Sequence, residues 1–256
     1  MNLIEKVRDF VEENSEYPFE LRYALKNDLY ELDFISNDYA MAVAGAFFEA
    51  INQKGVAEHI GSLHLFAEDE GANGINEWDI ATLLENAKVS FKNLKSLYFP
   101  LNTNENHNRI IVTKADMYEE NGGIGEMLLK MPALEVLQIP SAPSANFFEH
   151  KNKLKVLRMQ VGLAHRGFVK NLSTMQVMDN LEELEIKDYS EFYIKDYQKD
   201  CIPKEDYFLL FESQTLPKLK KLTLENTLLS VEEQEKLKEM PLAKQLEELN
   251  FKDTKK

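Results

Sequence analysis

The chain has 256 residues, with 30 basic and 44 acidic side chains and a formal net charge of −14. A field of that sign repels phosphate backbones and anionic lipid, which argues against nucleic acid and membrane surfaces as partners. A lone cysteine, Cys201, permits no intramolecular disulfide. No apolar run reaches the ~18–20 residues that span a membrane, and residues 1–6 lack a secretory hydrophobic region, so a cytoplasmic setting is expected.

At the front, Leu3, Ile4, Val7, Phe10 and Val11 fall on one helical face, while Glu5, Lys6, Arg8, Asp9, Glu12 and Glu13 fall elsewhere. This is the pattern of an amphipathic helix covering a hydrophobic edge, and residues 1–28 read as a helical cap and lead-in. From Leu29 onward a six-residue phrase, apolar-x-x-apolar-x-apolar, recurs eight times. Its copies are Leu29/Leu32/Phe34, Ile60/Leu63/Leu65, Leu94/Leu97/Phe99, Leu134/Leu137/Ile139, Leu154/Leu157/Met159, Leu181/Leu184/Ile186, Leu219/Leu222/Leu224 and Leu246/Leu249/Phe251. The fourth and sixth positions lie two apart, so on a pleated strand they enter the core together while the third and fifth face out. Units of this kind bury their apolar faces only against their neighbours, so residues 29–256 are expected to form one continuous domain of about eight repeats.

The phrases start at 29, 60, 94, 134, 154, 181, 219 and 246, which leaves 20 to 40 residues from one start to the next. Most intervals have room for a helix. The first holds a run of small and apolar residues, 40–51, suited to a helix pressed on a sheet. Asn76-Glu77-Trp78-Asp79 reads as an N-cap and acidic first turn for a helix through Leu83, Leu84 and Ala87. The run Gly122-Gly123-Ile124-Gly125 precedes a short helix, 126–130. The 134–154 interval holds Ser141-Ala142-Pro143-Ser144-Ala145-Asn146, and a tight connection is expected there. Pro203-Lys204-Glu205-Asp206 starts a helix carrying Phe208, Leu209 and Phe211, and Ser230 with Glu233 has capping-box spacing before Leu237. Pro132, Pro217 and Pro241 stop the preceding helices. No helical cap is evident after Phe251, where terminal charge is expected to discourage pairing at an open edge. Alternating strand and helix imply parallel strands with right-handed crossovers.

With its strand-helix repeats, the chain resembles the ribonuclease-inhibitor-like class of leucine-rich-repeat proteins. More narrowly it is similar to a family of bacterial cytoplasmic leucine-rich-repeat proteins without an assigned activity. The residues carrying this resemblance are the strand and helix of 29–51, His59-Ile60-Gly61-Ser62-Leu63, Phe91-Lys92-Asn93-Leu94-Lys95-Ser96-Leu97, Met131-Pro132-Ala133-Leu134-Glu135-Val136-Leu137, 181–189 and Leu216-Pro217-Lys218-Leu219-Lys220-Lys221-Leu222. It implies an α/β solenoid, a horseshoe with a curved parallel sheet on the concave face and helices on the convex face. The chain lacks the many cysteines of ribonuclease inhibitors, and only Asn37 and Asn102 match the family's asparagine-or-cysteine ninth position. Ribonuclease inhibition is not carried over.

Chemical motifs are sparse. None of His59, His64, His107, His150 and His165 has metal-ligand spacing. Residues 68–74 are acidic and glycine-bearing but do not keep the EF-hand order. The 122–125 glycine run matches no phosphate-binding fingerprint, and Cys201 lacks a histidine and acid in convincing positions for a nucleophile. No cofactor and no metal are expected. The outward third and fifth positions are therefore the better guide to function: Glu31/Asp33, Ser62/His64, Ser96/Tyr98, Val136/Gln138, Val156/Arg158, Glu183/Glu185, Lys221/Thr223 and Glu248/Asn250. Tyr98, Gln138, Arg158 and Glu185 are candidate partner-binding residues, since aromatic and arginine side chains anchor interfaces. A second candidate is the 188–200 segment, whose Tyr189, Tyr193 and Tyr197 either project from the rim or pack the loop onto its own repeat. The expected function is a non-enzymatic, monomeric adaptor or inhibitor-like module binding a protein with a basic patch. The alternative is a small-molecule or metal-dependent enzyme with a site at the rim among Glu68, Asp69, Asp188 and Asp196.

Overall fold

An asparagine and a glutamate three residues apart start the first helix in the computed structural model, which describes residues 2–37, 41–71, 73–103, 109–116, 120–189 and 196–253. Helix α1 (Leu3–Asn14) is closed by a capping box: Asn2 Oδ1 accepts from Ile4 N at 3.0 Å, and Glu5 Oε2 accepts from Asn2 N at 2.8 Å. Its buried stripe is Ile4, Val7 and Val11. The chain then enters a hairpin, β1 (Glu20–Lys26) and β2 (Leu29–Asn37), paired antiparallel with Lys26 opposite Leu29. Asn27 and Asp28 turn it with φ of 51° and 62°, the double left-handed conformation of the tight turn that matches strand twist. The helical cap read in 1–28 corresponds to α1, and the lead-in after it contains a sheet strand, signalled by an Asn-Asp pair between alternating residues.

The chain continues through α2 (Met41–Ile51), β3 (Ile60–Glu68), β4 (Gly74–Asp79), α3 (Ala81–Glu85), β5 (Ser96–Tyr98) and β6 (Arg109–Lys114). Next come α4 (Gly123–Lys130), β7 (Val136–Ile139), β8 (Val156–Gln160), α5 (Phe168–Thr174) and β9 (Glu183–Lys187). The last elements are α6 (Lys204–Glu212), β10 (Lys221–Glu225), α7 (Val231–Lys238), α8 (Pro241–Gln245) and β11 (Glu248–Lys252). The main sheet runs β1-β2-β3-β5-β7-β8-β9-β10-β11, antiparallel only at β1–β2. Every strand from β2 onward in that order carries one copy of the phrase.

Helices lie side by side, α1 on α2, α2 on α3, α3 on α4, α5 on α6 and α6 on α8. The fourth and sixth phrase positions are buried against them in the first seven strands. Phe34 stacks on Phe47 with ring centroids 4.2 Å apart, and Trp78 meets Phe48 and Phe99 at 6.2 and 5.9 Å. Only β11 breaks the pattern: it is last in the sheet order, with no strand paired on its far side among the described residues, and Leu246, Leu249 and Phe251 are half-buried.

Two details depart from the sequence expectations. Residues 76–79 form strand rather than a helix start, since β4 pairs in parallel with β6 as a second, two-stranded sheet. Glu77, expected to face a helix dipole, instead meets Lys114 at 2.8 Å, and Asp79 Oδ1 accepts from Ala81 N to begin the shorter α3. Pro241 does more than stop α7; it opens α8 at the first turn, where its missing amide proton costs nothing. The short 134–154 interval, as expected, is a tight connection, a 3-10 turn over Ala145–Phe148 in place of an α-helix.

Leu137 lies at the centre of the sheet, fully buried. Leu137→Ala is expected to lower unfolding stability by about 2–5 kcal/mol in a denaturant titration, with Leu249→Ala costing clearly less because that site is half-open.

Candidate functional site

Parallel register carries the outward positions into rows. Asp33, His64, Tyr98, Gln138, Arg158, Glu185, Thr223 and Asn250 are consecutive partners across eight strands, as are Glu31, Ser62, Ser96, Val136, Val156, Glu183, Lys221 and Glu248. All sixteen are half-buried or exposed, so this face of the sheet is open while the helices cover the other. Tyr98, Gln138, Arg158 and Glu185 thus share one row on adjoining strands.

Each is held by a neighbour. Tyr98 meets the His64 ring edge-to-face, centroids 4.4 Å apart, and His64 Nδ1 lies 3.4 Å from Asp33 Oδ1. Gln138 Nε2 donates to the Phe99 carbonyl at 2.9 Å. Arg158 donates from Nε and Nη2 to Glu183 Oε1, at 3.0 and 2.6 Å, with Glu185 Oε2 at 3.9 Å. The guanidinium is oriented and partly neutralised, with about a third of its side chain exposed. His64 and Glu183 were outward positions in the sequence, yet only the register shows them bracing Tyr98 and Arg158. Phe66 went unmarked: β3 runs past the phrase, placing this ring on the open face at 45 % exposure.

The rim at the strands' C-terminal ends is occupied by structural polar groups. Gln160 Oε1 accepts from Asn102 N and Nδ2 at 2.7 and 3.1 Å, and Gln160 Nε2 returns a bond to the Asn102 carbonyl. Asn102 Oδ1 accepts from Ile111 N, which ties β6 to the main sheet. Lys187 Nζ reaches the Asn102 carbonyl at 3.1 Å and Glu225 at 3.0 Å. The glycine run already faces an anion of the chain itself: buried Glu120 accepts from Gly122 N, Ile124 N and Ser144 N at 3.1, 2.8 and 3.0 Å.

The rim tyrosines require a correction. Tyr189 and Tyr197 are 2 % and 4 % exposed, so both pack into the core and present no docking surface; Tyr193 lies outside the described residues. Asp188 drives this arrangement, its carboxylate accepting from Tyr189 N at 2.8 Å and Ile202 N at 2.9 Å, with the Tyr207 hydroxyl at 3.5 Å. Burial lifts the Asp188 carboxyl from 3.8 to about 7, against the lowering effect of those donors. Burial, then the Asp188 charge, pushes the adjoining Cys201 thiol up to about 12, the opposite of what a nucleophile needs. Of the other rim acids, Asp69 Oδ1 accepts from Gly71 N, and Glu68 and Asp196 are exposed. Among the described residues no three His, Cys, Asp or Glu side chains are grouped to hold a metal, and no helix is long and apolar enough to cross a membrane.

A cleft of about 310 Å³ opens on the helix side, beside the 3-10 turn, lined by Leu128, Pro132, Phe147, His150 and Lys153 among others. It lacks convergent acid, base or nucleophile, and the open face remains the better candidate. No protein-family model, curated protein or solved structure matches the chain.

A carboxyl titrating higher in the folded than in the unfolded chain binds more protons when folded across the intervening window. Stability therefore falls as pH rises from about 4 to about 7 on account of Asp188. Unfolding midpoints of Asp188→Asn across that window are expected to show a flatter pH slope than the parent, although the variant starts less stable because its amide nitrogen cannot accept from Ile202 N.

Proposed function

We propose that this chain is a leucine-rich-repeat solenoid acting as a non-enzymatic protein-binding module, an adaptor or inhibitor-like binder that uses the open, concave face of its sheet. The observation that carries this reading is the alignment of outward residues into unbroken rows on a face that no helix covers. A solenoid supplies such an extended surface from repeated short elements, and side chains on rigid strands need little reordering on contact.

The chemistry of the face supports one kind of partner. Its centre joins Tyr98, Val136, Gln138 and Val156, while acids flank it on both sides, Glu31 and Asp33 on β2 and Glu183 and Glu185 on β9. The two acidic groups are five strand spacings apart, about 24 Å. A protein with an apolar or aromatic centre and basic groups at that separation is complementary, and the −14 charge would steer it inward.

Affinity capture from the native host, with the captured protein identified by mass spectrometry, tests the reading. Tyr98→Ala and Arg158→Ala should each weaken binding of that protein by about tenfold or more, with the fold retained by circular dichroism, because both side chains lie on the open face and outside the core. Unaltered affinity in both variants would remove the face from consideration. Stopped-flow association should slow as ionic strength rises; a salt-insensitive rate would exclude acidic steering.

A further inference from the structure

The first strand of the sheet is an open edge whose residues match themselves when reversed. In a hairpin closed by a two-residue turn, the flanking residues Lys26 and Leu29 exchange backbone hydrogen bonds, as do alternate pairs back along the ladder. Ala24, Arg22 and Glu20 therefore direct their amides to β2. Leu21, Tyr23 and Leu25 direct theirs outward, away from β2. Natural edges are usually blunted by charged side chains, proline, bulges or coverage; the charges on this strand are Glu20, Arg22 and Lys26, of which Glu20 and Lys26 complement each other when the strand is reversed. This one has no proline, and Tyr23 and Leu25 are 47 % and 61 % exposed on the helix side.

We propose that β1 pairs antiparallel with β1 of a second copy of this chain, about a twofold axis through Tyr23. In that register residue numbers sum to 46. Tyr23 faces its own copy, Leu21 faces Leu25, and Glu20 faces Lys26 at both ends. The three residues with outward amides fall at hydrogen-bonded positions of the new ladder, giving six backbone bonds. The apolar pairs meet on the helix side and the opposite charges on the open side.

A register displaced by two residues, summing to 44, would set Glu20 against Ala24 and leave Lys26 beyond the pairing, so the charges select the centre. Glu20 and Lys26 at present contact Arg22 at 2.6 Å and Glu31 at 3.4 Å, with every one of these side chains more than two-fifths exposed. Exposed pairs of this kind exchange partners at little cost. Arg8 Nη2 donates to the Leu21 carbonyl at 3.1 Å, and that oxygen can accept a second donor. The twofold runs perpendicular to the sheet, so the two open faces join into one surface. A monomeric binder would become a bivalent one.

Sedimentation equilibrium on the full chain, up to about 500 µM, tests the proposal. The parent should dimerise. Lys26→Glu and Glu20→Lys place like charges at both ends, and each should raise the dissociation constant by about tenfold or more. An equimolar mixture of the two variants should restore association, since an acidic and a basic side chain then face each other at both ends of the mixed ladder. Tyr23→Pro removes an amide that β2 does not use, so it should leave the circular dichroism spectrum intact and abolish the dimer. Mild oxidation of Tyr23→Cys should yield a disulfide-linked dimer, because hydrogen-bonded partners place Cα atoms about 5.5 Å apart, whereas Leu25→Cys faces Leu21 and should not. A parent that stays monomeric at the highest concentration overturns the proposal. A dimer indifferent to the charge reversals, or one cross-linked through Leu25→Cys, overturns it equally.

Discussion

Everything about this protein depends on one column of leucines held in register. Leu32, Leu63, Leu97, Leu137, Leu157, Leu184, Leu222 and Leu249 are consecutive partners across eight parallel strands. Side chains alternate with a period of two, so a slip of one residue in any strand would expose its leucine and drive an outward-facing neighbour inside. At β8 and β9 the intruders would be Arg158 and Glu185. The core therefore dictates the register, and the register dictates which residues meet on the open face. Packing and surface are two readings of a single alignment.

Where the strands end, the backbone loses its ladder partners and side chains substitute. Asn102 serves the β5–β6 connection, Ser141 accepts from Thr113 N, Asp188 serves Tyr189 and Ile202, and Glu120 serves the entry to α4. Buried amides left without acceptors would each cost a large part of a hydrogen bond's worth, so these side chains are committed to the fold. That commitment explains why the most chemically suggestive residues at the rim carry structure. On the open face the ladder amides need no such help, and side chains such as Tyr98 and Arg158 remain partly exposed while their neighbours orient them.

Much of the fold was legible because it rests on a short pattern repeated many times. Eight phrases predict eight strands, and each of them forms one; the capping box at Ser230 and the breaks at Pro132 and Pro217 likewise follow from local chemistry. Hidden features depend on pairings between distant segments. Strand β4 owes its existence to β6 more than thirty residues on, and its Asn76-Glu77 start imitates a helix cap. For the candidate site, alternation alone placed Tyr98, Gln138, Arg158 and Glu185 outward, but the tie from Arg158 to Glu183 spans two strands of different repeats. For Tyr189 and Tyr197 the sequence left open whether they project from the rim or pack onto their own repeat, and burial decides for packing. Asp188 is itself buried, and it draws Tyr189 in with it.

The half-covered final strand has a consequence for how the molecule comes apart. Interior strands are paired on both sides, whereas β11 pairs with β10 alone and its Leu246, Leu249 and Phe251 are half-buried. In an array held by nearest-neighbour contacts, opening free energies are lowest where a neighbour is missing. Solvent exchange of amides should therefore form a gradient, fastest at the C-terminal end and slowest around β7 and β8. Transient loss of β11 from the sheet would uncover the leucines of β10, so the next strand in the order would become the new weak boundary.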